Sequence, residues 1–267
     1  RVYPSNSNVY QCIGAHFTPG DFGTPLGLKM QGARAALDLL EEVSAAEVIV
    51  VGEGDRPYQY EGPSAFDVML HSVPHRFVDG ARVAVLPDHP TVILLQPRQW
   101  AAAPWYLAVS EERGRISLRE GEGHYTLLLY DPERRAGPLA DFAPATPPTT
   151  LTNGARILGH RWAGEQIEIA WQVERGPPSD EYHFVNYFFD DDLGVLVQAD
   201  GPSYPAAYWR PGDVAVNWFP LAPPEAPPCR LQLRVAMYTY PGIVRALVVD
   251  DAGAPVRDSV LLGYWPE

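Results

Sequence analysis

Asp200 and Asp213 stand on either side of Tyr208 and Trp209, and this small set is the most suggestive chemistry in the chain. Sugars are held by stacking on flat aromatic faces while carboxylates accept protons from ring hydroxyls. A plainer reading fits the same residues, in which the tryptophan fills a core and Asp200 hydrogen-bonds a loop crossing between two sheets. His71 and His75 are four apart, which on one helix would turn both toward a metal, but Pro74 between them breaks such a helix. They read as surface histidines near a helix end. Asp190, Asp191 and Asp192 offer oxygens to calcium yet lack the spaced ligands and closing glutamate of a loop built for that ion, and so read as an acidic, solvated tip. The run VIVVGEGDRP at 48–57 leads a strand into Gly52-x-Gly54. Pro57 occupies the place of the third glycine of a dinucleotide fingerprint and no helix directly follows, so a strand ending in a glycine turn explains the run. There is no GxSxG elbow, HExxH pair, Walker loop or CxxC. The candidate site is therefore a sugar-binding set, Asp200, Tyr208, Trp209 and Asp213, with no catalytic residue, metal or cofactor expected.

Composition narrows the setting. The chain has 267 residues, enough for one large β domain or two ordinary ones. Its formal net charge is -13 and its only lysine is Lys29, which argues against a nucleic-acid partner. With 46% hydrophobic and 20% charged residues it belongs with folded, globular chains. No apolar run approaches the roughly 18 to 20 residues of a membrane helix, and no secretory signal opens the sequence. A start at Arg1 followed by a polar SNSN stretch leads us to expect a mature form or a piece of a longer polypeptide. The two cysteines, Cys12 and Cys229, read as ordinary semi-buried thiols, and whether they pair is left open.

The elements that must position these residues fall into two blocks. After an irregular lead-in over residues 1–28, Met30, Ala33, Leu37, Leu40 and Val43 recur at three and four, predicting an amphipathic helix. Ala46 to Val51 predicts a strand covered on both faces. Ser64 is placed to cap a short helix reaching Leu70. Extended runs at Arg76–Val78, Arg82–Leu86, Thr91–Leu95, Arg115–Leu118 and Tyr125–Tyr130 complete a small α/β layer domain, residues 1–140. Residues 131–152 turn rich in proline and alanine and predict a linker.

From 153 to 267 the pattern is β throughout. Ile167, Ile169, Trp171 and Val173 alternate with polar neighbours, as do Leu231, Leu233, Val235 and Met237 with Arg230, Gln232 and Arg234. The stretch Phe184–Phe189, turn Asp190–Gly194, and Val195–Ala199 predicts a hairpin with Gly194 at positive φ. Phe184–Phe189 is apolar on both faces and predicts a central strand. The expected fold class is α+β: an N-terminal α/β layer domain, then an antiparallel β-sandwich of immunoglobulin-like or jelly-roll type.

Three segments carry a family resemblance: GTPLGLKMQGARAAL at 23–37, FDVMLHSVPHRFVDG at 66–80, and VQADGPSYPAAYWRPGDVAVNWFPL at 197–221 with LRVAMYTYPG at 233–242. Together they resemble the soluble C-terminal portion of multi-spanning bacterial glycosyltransferases related to protein mannosyltransferases and aminoarabinose transferases. The resemblance implies a non-catalytic region on the extracytoplasmic face of the cell membrane. Its partners would be the membrane-spanning part of the same polypeptide and a glycan or polyprenyl-linked sugar. In such enzymes an acidic residue between early membrane helices does the chemistry, so no family catalytic residue maps onto this chain. The alternative expectation is a secreted carbohydrate-binding β-sandwich module.

Overall fold

The computed structural model describes residues 24, 26–121, 123–176, 178–224 and 230–265; Cys12 and Cys229 lie outside the described residues. The chain is mostly β, with several antiparallel sheets and a minority of helix. The helices are α1 (Leu26–Val43), α2 (Glu61–Met69), α3 (Ala103–Val109) and α4 (Ala136–Leu139). The first strands are β1 (Val48–Gly52), β2 (His75–Asp79), β3 (Val83–Leu86), β4 (Thr91–Leu95), β5 (Ser110–Ser117) and β6 (His124–Tyr130). They are followed by β7 (Ala143–Thr150), β8 (Ala155–Ala163), β9 (Gln166–Val173), β10 (Tyr182–Asp190), β11 (Gly194–Pro202) and β12 (Val214–Pro220). The last are β13 (Leu231–Thr239), β14 (Arg245–Ala246), β15 (Val248–Val249), β16 (Pro255–Arg257) and β17 (Val260–Trp265). The chain divides into two compact units, one running to Ala81 and from His89 to Arg134, the other made of 82–88 and 135–267.

The first unit holds a five-stranded sheet in the order β2-β1-β4-β6-β5. β1 runs parallel to β2 and β4, while β6 is antiparallel to β4 and β5. Every residue of β1 is buried, as its unbroken apolar run requires of a strand covered on both sides. α1 forms where the periodicity predicts a helix, but the face it buries is Lys29, Gly32, Ala33, Ala36, Leu39 and Leu40: of the residues read as its apolar face only Ala33 and Leu40 are buried, Leu37 and Val43 are partly covered and Met30 is exposed. Gly32 admits the Tyr125 ring, which a Cβ there would meet at 3.2 Å. α2 begins four residues earlier than expected, with Tyr60 and not Ser64 at its cap; Ser64 is inside it, because Pro63 is tolerated in a first turn where no backbone donor is required.

An ion pair is sealed inside this unit. Arg76 on β2 donates through Nε (3.0 Å) and Nη2 (2.5 Å) to the two oxygens of Glu47, and both side chains are almost wholly excluded from solvent. His89 Nε2 lies 3.3 Å from the same carboxylate. A buried pair adds little over an apolar pair of the same volume, but removing one partner strands a charge in low dielectric.

The second unit holds two larger sheets. One has the order β3-β12-β9-β8-β7; in the other, β11-β10-β13 continues to β14 and β17, which both pair with β13. A small β15–β16 ribbon stands beside them. The inner faces share one aromatic core: Trp171 meets Phe184 at 6.0 Å, Phe184 meets Phe219 at 5.6 Å, and Trp162 lies parallel to Phe188 at 6.1 Å. Trp171 Nε1 donates there to Asn217 Oδ1 at 2.9 Å and Asn217 Nδ2 to the Pro202 carbonyl at 3.3 Å, while Asn186 on β10 donates through Nδ2 to the Ala199 carbonyl at 3.4 Å and leaves its Oδ1 without a partner. The hairpin falls where its residues place it, β10 to β11 with Gly194 at φ 78, and β10 is central between β11 and β13.

Two expectations are corrected here. The run Arg82–Leu86 does not extend the first unit's sheet; β3 pairs antiparallel with β12, more than a hundred residues away, from Val83↔Asn217 to Leu86↔Val214. Its four buried apolar residues fit any sheet interior, so composition could not name the partner. The expected linker contains a strand, since β7 pairs with β8 at Ala143, Pro144, Thr149 and Thr150 around an irregular stretch. Proline lacks a ladder donor and is accepted at a sheet edge or bulge, and β7 is an edge.

Glu47→Ala is expected to destabilise the chain by about 3–5 kcal/mol, read as a lower urea midpoint, because it leaves the Arg76 charge buried without its partner. Glu47→Leu combined with Arg76→Met should recover most of that loss; a double variant as unstable as the single one would contradict this account.

Candidate functional site

In the first unit, the glycine turn after β1 has no room for a phosphate. A Cβ on Gly52 would lie 2.2 Å from the Gln96 amide, and one on Gly54 (φ 75) would lie 2.2 Å from the Tyr60 ring. Both glycines let the chain's own side chains close over the backbone. The next helix, α2, begins with Glu61, which pairs with Lys29, so a carboxylate already occupies the helix end that would attract an anion. His71 and His75 do not converge. His71 follows α2 and its Nδ1 faces the Val68 carbonyl, whereas His75 opens β2 with Nε2 3.0 Å from Asp67.

In the second unit, the four candidates do not share one accessible surface. Trp209 is 2% exposed, its Nε1 donates to the Tyr204 carbonyl at 2.8 Å, and its ring lies 4.8 Å from Trp171 in the inter-sheet core. Tyr208 is half-buried beside Tyr204, with ring centroids 5.8 Å apart. Asp213 is buried, and its backbone closes its own turn and joins it to the end of β9, donating to the Arg210 carbonyl at 3.1 Å and accepting from Val173 N–H at 2.9 Å. Only Asp200 is exposed, on β11. It is paired with Val185, whose side chain alternates away from the Phe184 and Phe188 that face the core. Asp200 and Trp209 therefore occupy opposite sides of one sheet.

That outer side of the β11-β10-β13 sheet carries a groove. Register aligns four cross-strand rows on it: Pro202, His183 and Tyr238; Asp200, Val185 and Ala236; Gln198, Tyr187 and Arg234; Val195, Phe189 and Gln232. A bulge at Phe188/Phe189 shifts the β11 register by one and brings Val195 opposite Phe189. The segment leading from β14 to β17 supplies Arg245, Asp258 and Ser259 along one wall, and the hollow encloses about 360 Å³. Its floor is apolar, with Val185 and Tyr187 each 7% exposed and Ala236 buried beneath Phe189 and Tyr238.

The polar groups of this face are held in place by neighbours. Arg234 donates through Nε (2.8 Å) and Nη2 (2.5 Å) to Gln232 Oε1 and through Nη1 to Ser259 Oγ (3.1 Å), with its guanidinium 5.4 Å from the Phe189 ring centre. At the other end, His183 stacks on Tyr240 at 4.3 Å and 8°, leaving Tyr240 more than half exposed. Burial, and after it the Asp200 carboxylate, hold the Tyr238 phenol above its ordinary pKa. A floor of rings beneath directional donors and acceptors is suited to a ligand with apolar faces and a hydroxylated rim. No group here is set up as a nucleophile with an adjacent base.

A second hollow of about 300 Å³ in the same unit is lined by Trp162, Phe188, Trp265 and Tyr264 among others. Its rings already face one another or an arginine, Trp162 against Phe188 and Trp265, and Tyr264 beneath Arg230 at 4.5 Å. The outer groove offers the better match.

Comparison with protein-family models, with curated proteins and with solved structures finds no match for this chain. None of the four candidates read from the sequence lines the hollow of the outer groove; Asp200 shares its face of the sheet, opposite Val185. The signal for the groove was present in Phe184–Phe189, where a strand with rings on both faces must cover something on each side.

Trp209→Ala should cost about 3–5 kcal/mol in urea unfolding, as expected of a buried aromatic and not of a surface platform. The Tyr238 shift fixes a sign as well. The folded chain keeps a proton that the unfolded chain releases, so the neutral phenol's contribution is present below about pH 10 and lost as pH rises through the raised value. Tyr238→Phe should flatten the fall in melting temperature above pH 10, and Asp200→Asn should lower the midpoint of the tyrosine absorbance titration.

Proposed function

We propose that this chain is a non-catalytic glycan-recognition region, and that the outer groove of its second unit is where a sugar is held. The observation that carries the reading is the row Gln198–Tyr187–Arg234, an aromatic ring flanked across the sheet by an amide and a guanidinium, lining a hollow the size of a short sugar. On this reading the two sheets form a sandwich of immunoglobulin-like or jelly-roll type, with its ligand face turned away from the core.

The three resembling segments extend the proposal. The chain would be the extracytoplasmic part of a membrane glycosyltransferase acting on polyprenyl-phosphate-linked sugar, its groove presenting the acceptor glycan while the chemistry is done by membrane-embedded residues elsewhere in the polypeptide. The stand-alone alternative is a secreted carbohydrate-binding module, which would use the same groove. An upstream reading frame without hydrophobic spanning helices would favour the module and remove the glycosyltransferase context.

Glycan-array screening followed by calorimetric titration tests the binding itself. The chain is expected to retain a subset of oligosaccharides, with Tyr187→Ala and the exposed Gln198→Ala each weakening the best of them by roughly tenfold or more, about 1.4 kcal/mol. An array without hits, or affinities that neither substitution changes, would refute the assignment.

A further inference from the structure

The charge in the groove says more than that a sugar binds there. The chain carries 33 acidic against 20 basic residues, yet the hollow brings two arginines together in its lining. Arg156, Arg161, Arg113 and Arg115 each meet a glutamate within 4 Å. Arg234 and Arg245 do not: both line the hollow, and among the described residues neither has a carboxylate within that distance. The one acid on the same wall, Asp258, is exposed and accepts from Ser259 Oγ at 3.1 Å.

Arg234 is also aimed. A guanidinium has five N–H donors; three are taken by Gln232 and Ser259, which leaves one on Nη1 and one on Nη2. Gln232 occupies the Nε/Nη2 edge, so a carboxylate would be met by the Nη1/Nη2 end of the fork. The Gln232 oxygen and the Phe189 face below it hold the plane in position before any ligand arrives. Arg245, exposed at the start of β14, lines the same hollow and is paired in register with Tyr238 on β13.

We infer that the groove is built for an acidic glycan, a sugar bearing a carboxylate, with the carboxylate held by Arg234 and Arg245 and the ring lying over Tyr187. This rests on the sugar-binding reading above and narrows its ligand class. Two arginines against the single acid Asp258 leave the lining of the hollow net positive, and a uronate supplies the balancing charge and the planar oxygens together.

The test uses the whole chain and two matched probes, an oligogalacturonate and the neutral galactan of equal length, titrated at low and at physiological salt. The oligogalacturonate is expected to bind at least tenfold more tightly, to weaken as salt rises, and to lose that advantage in Arg245→Gln, an exposed position whose replacement should leave the melting temperature unchanged. Arg234→Lys, which keeps the charge but removes the fork, should likewise lose most of the preference for the oligogalacturonate. Equal affinity for the two probes, or a preference that survives both substitutions, would overturn the acidic-ligand inference and leave the sugar-binding proposal standing. Binding of neither probe, with an empty array, would overturn both.

Discussion

The second unit depends on one strand that is apolar on both faces. β10 sends Phe184 and Phe188 into the inter-sheet core and Val185, Tyr187 and Phe189 to the other side, while its backbone is hydrogen-bonded to β11 and β13 along both edges. A strand with period two keeps its faces only if register is held, since a slip by one residue would exchange the two sets of rings. The core contacts of Phe184 with Trp171 and Phe219 therefore also decide where the outward rings stand. The groove is rigid because its floor is the reverse side of a packed core.

Polar groups complete that rigidity. Arg234 is tied to Gln232 and Ser259, and Gln232 in turn donates to Asp191 at the hairpin tip, so a chain of hydrogen bonds runs from the turn into the groove. Asp191 belongs to the acidic tip that could be mistaken for an ion site; its contact gives that tip a structural role. In the first unit the burial of Glu47 with Arg76 follows the same rule, that a charge taken out of water is matched by its opposite. The groove arginines, by contrast, line one hollow with Asp258 as its single acid.

How much of this was legible varied with the distance over which each signal acts. Local patterns were readable: the presence of α1, though not the face it buries, the Asp190–Gly194 turn, and the two-faced strand before it. Long-range pairing was not. β3 reads as a strand, but VAVL carries no mark that its neighbour is VAVN at 214–217 and not the strand beside it in sequence. β7 was hidden by its prolines, which suit both a linker and a sheet edge. Trp209 misled because tryptophan types both cores and sugar platforms; only the Trp171 ring against it and the Tyr204 carbonyl on its nitrogen settle which it is here.

β3 has a consequence for how the polypeptide can be divided. β12 is sandwiched between β9 and a ribbon contributed from residues 83–86, and six of its seven residues are buried. A fragment beginning at Arg135, where the remainder of that unit starts, would present the flank of β12 as a bare row of amides and carbonyls along a greasy strand, a template for joining to other molecules. During synthesis that flank has its cover from the outset, because residues 83–86 leave the ribosome long before residues 214–220 appear. The order of the chain thus protects its most adhesive border, and a protein trimmed at the obvious place would forfeit the protection.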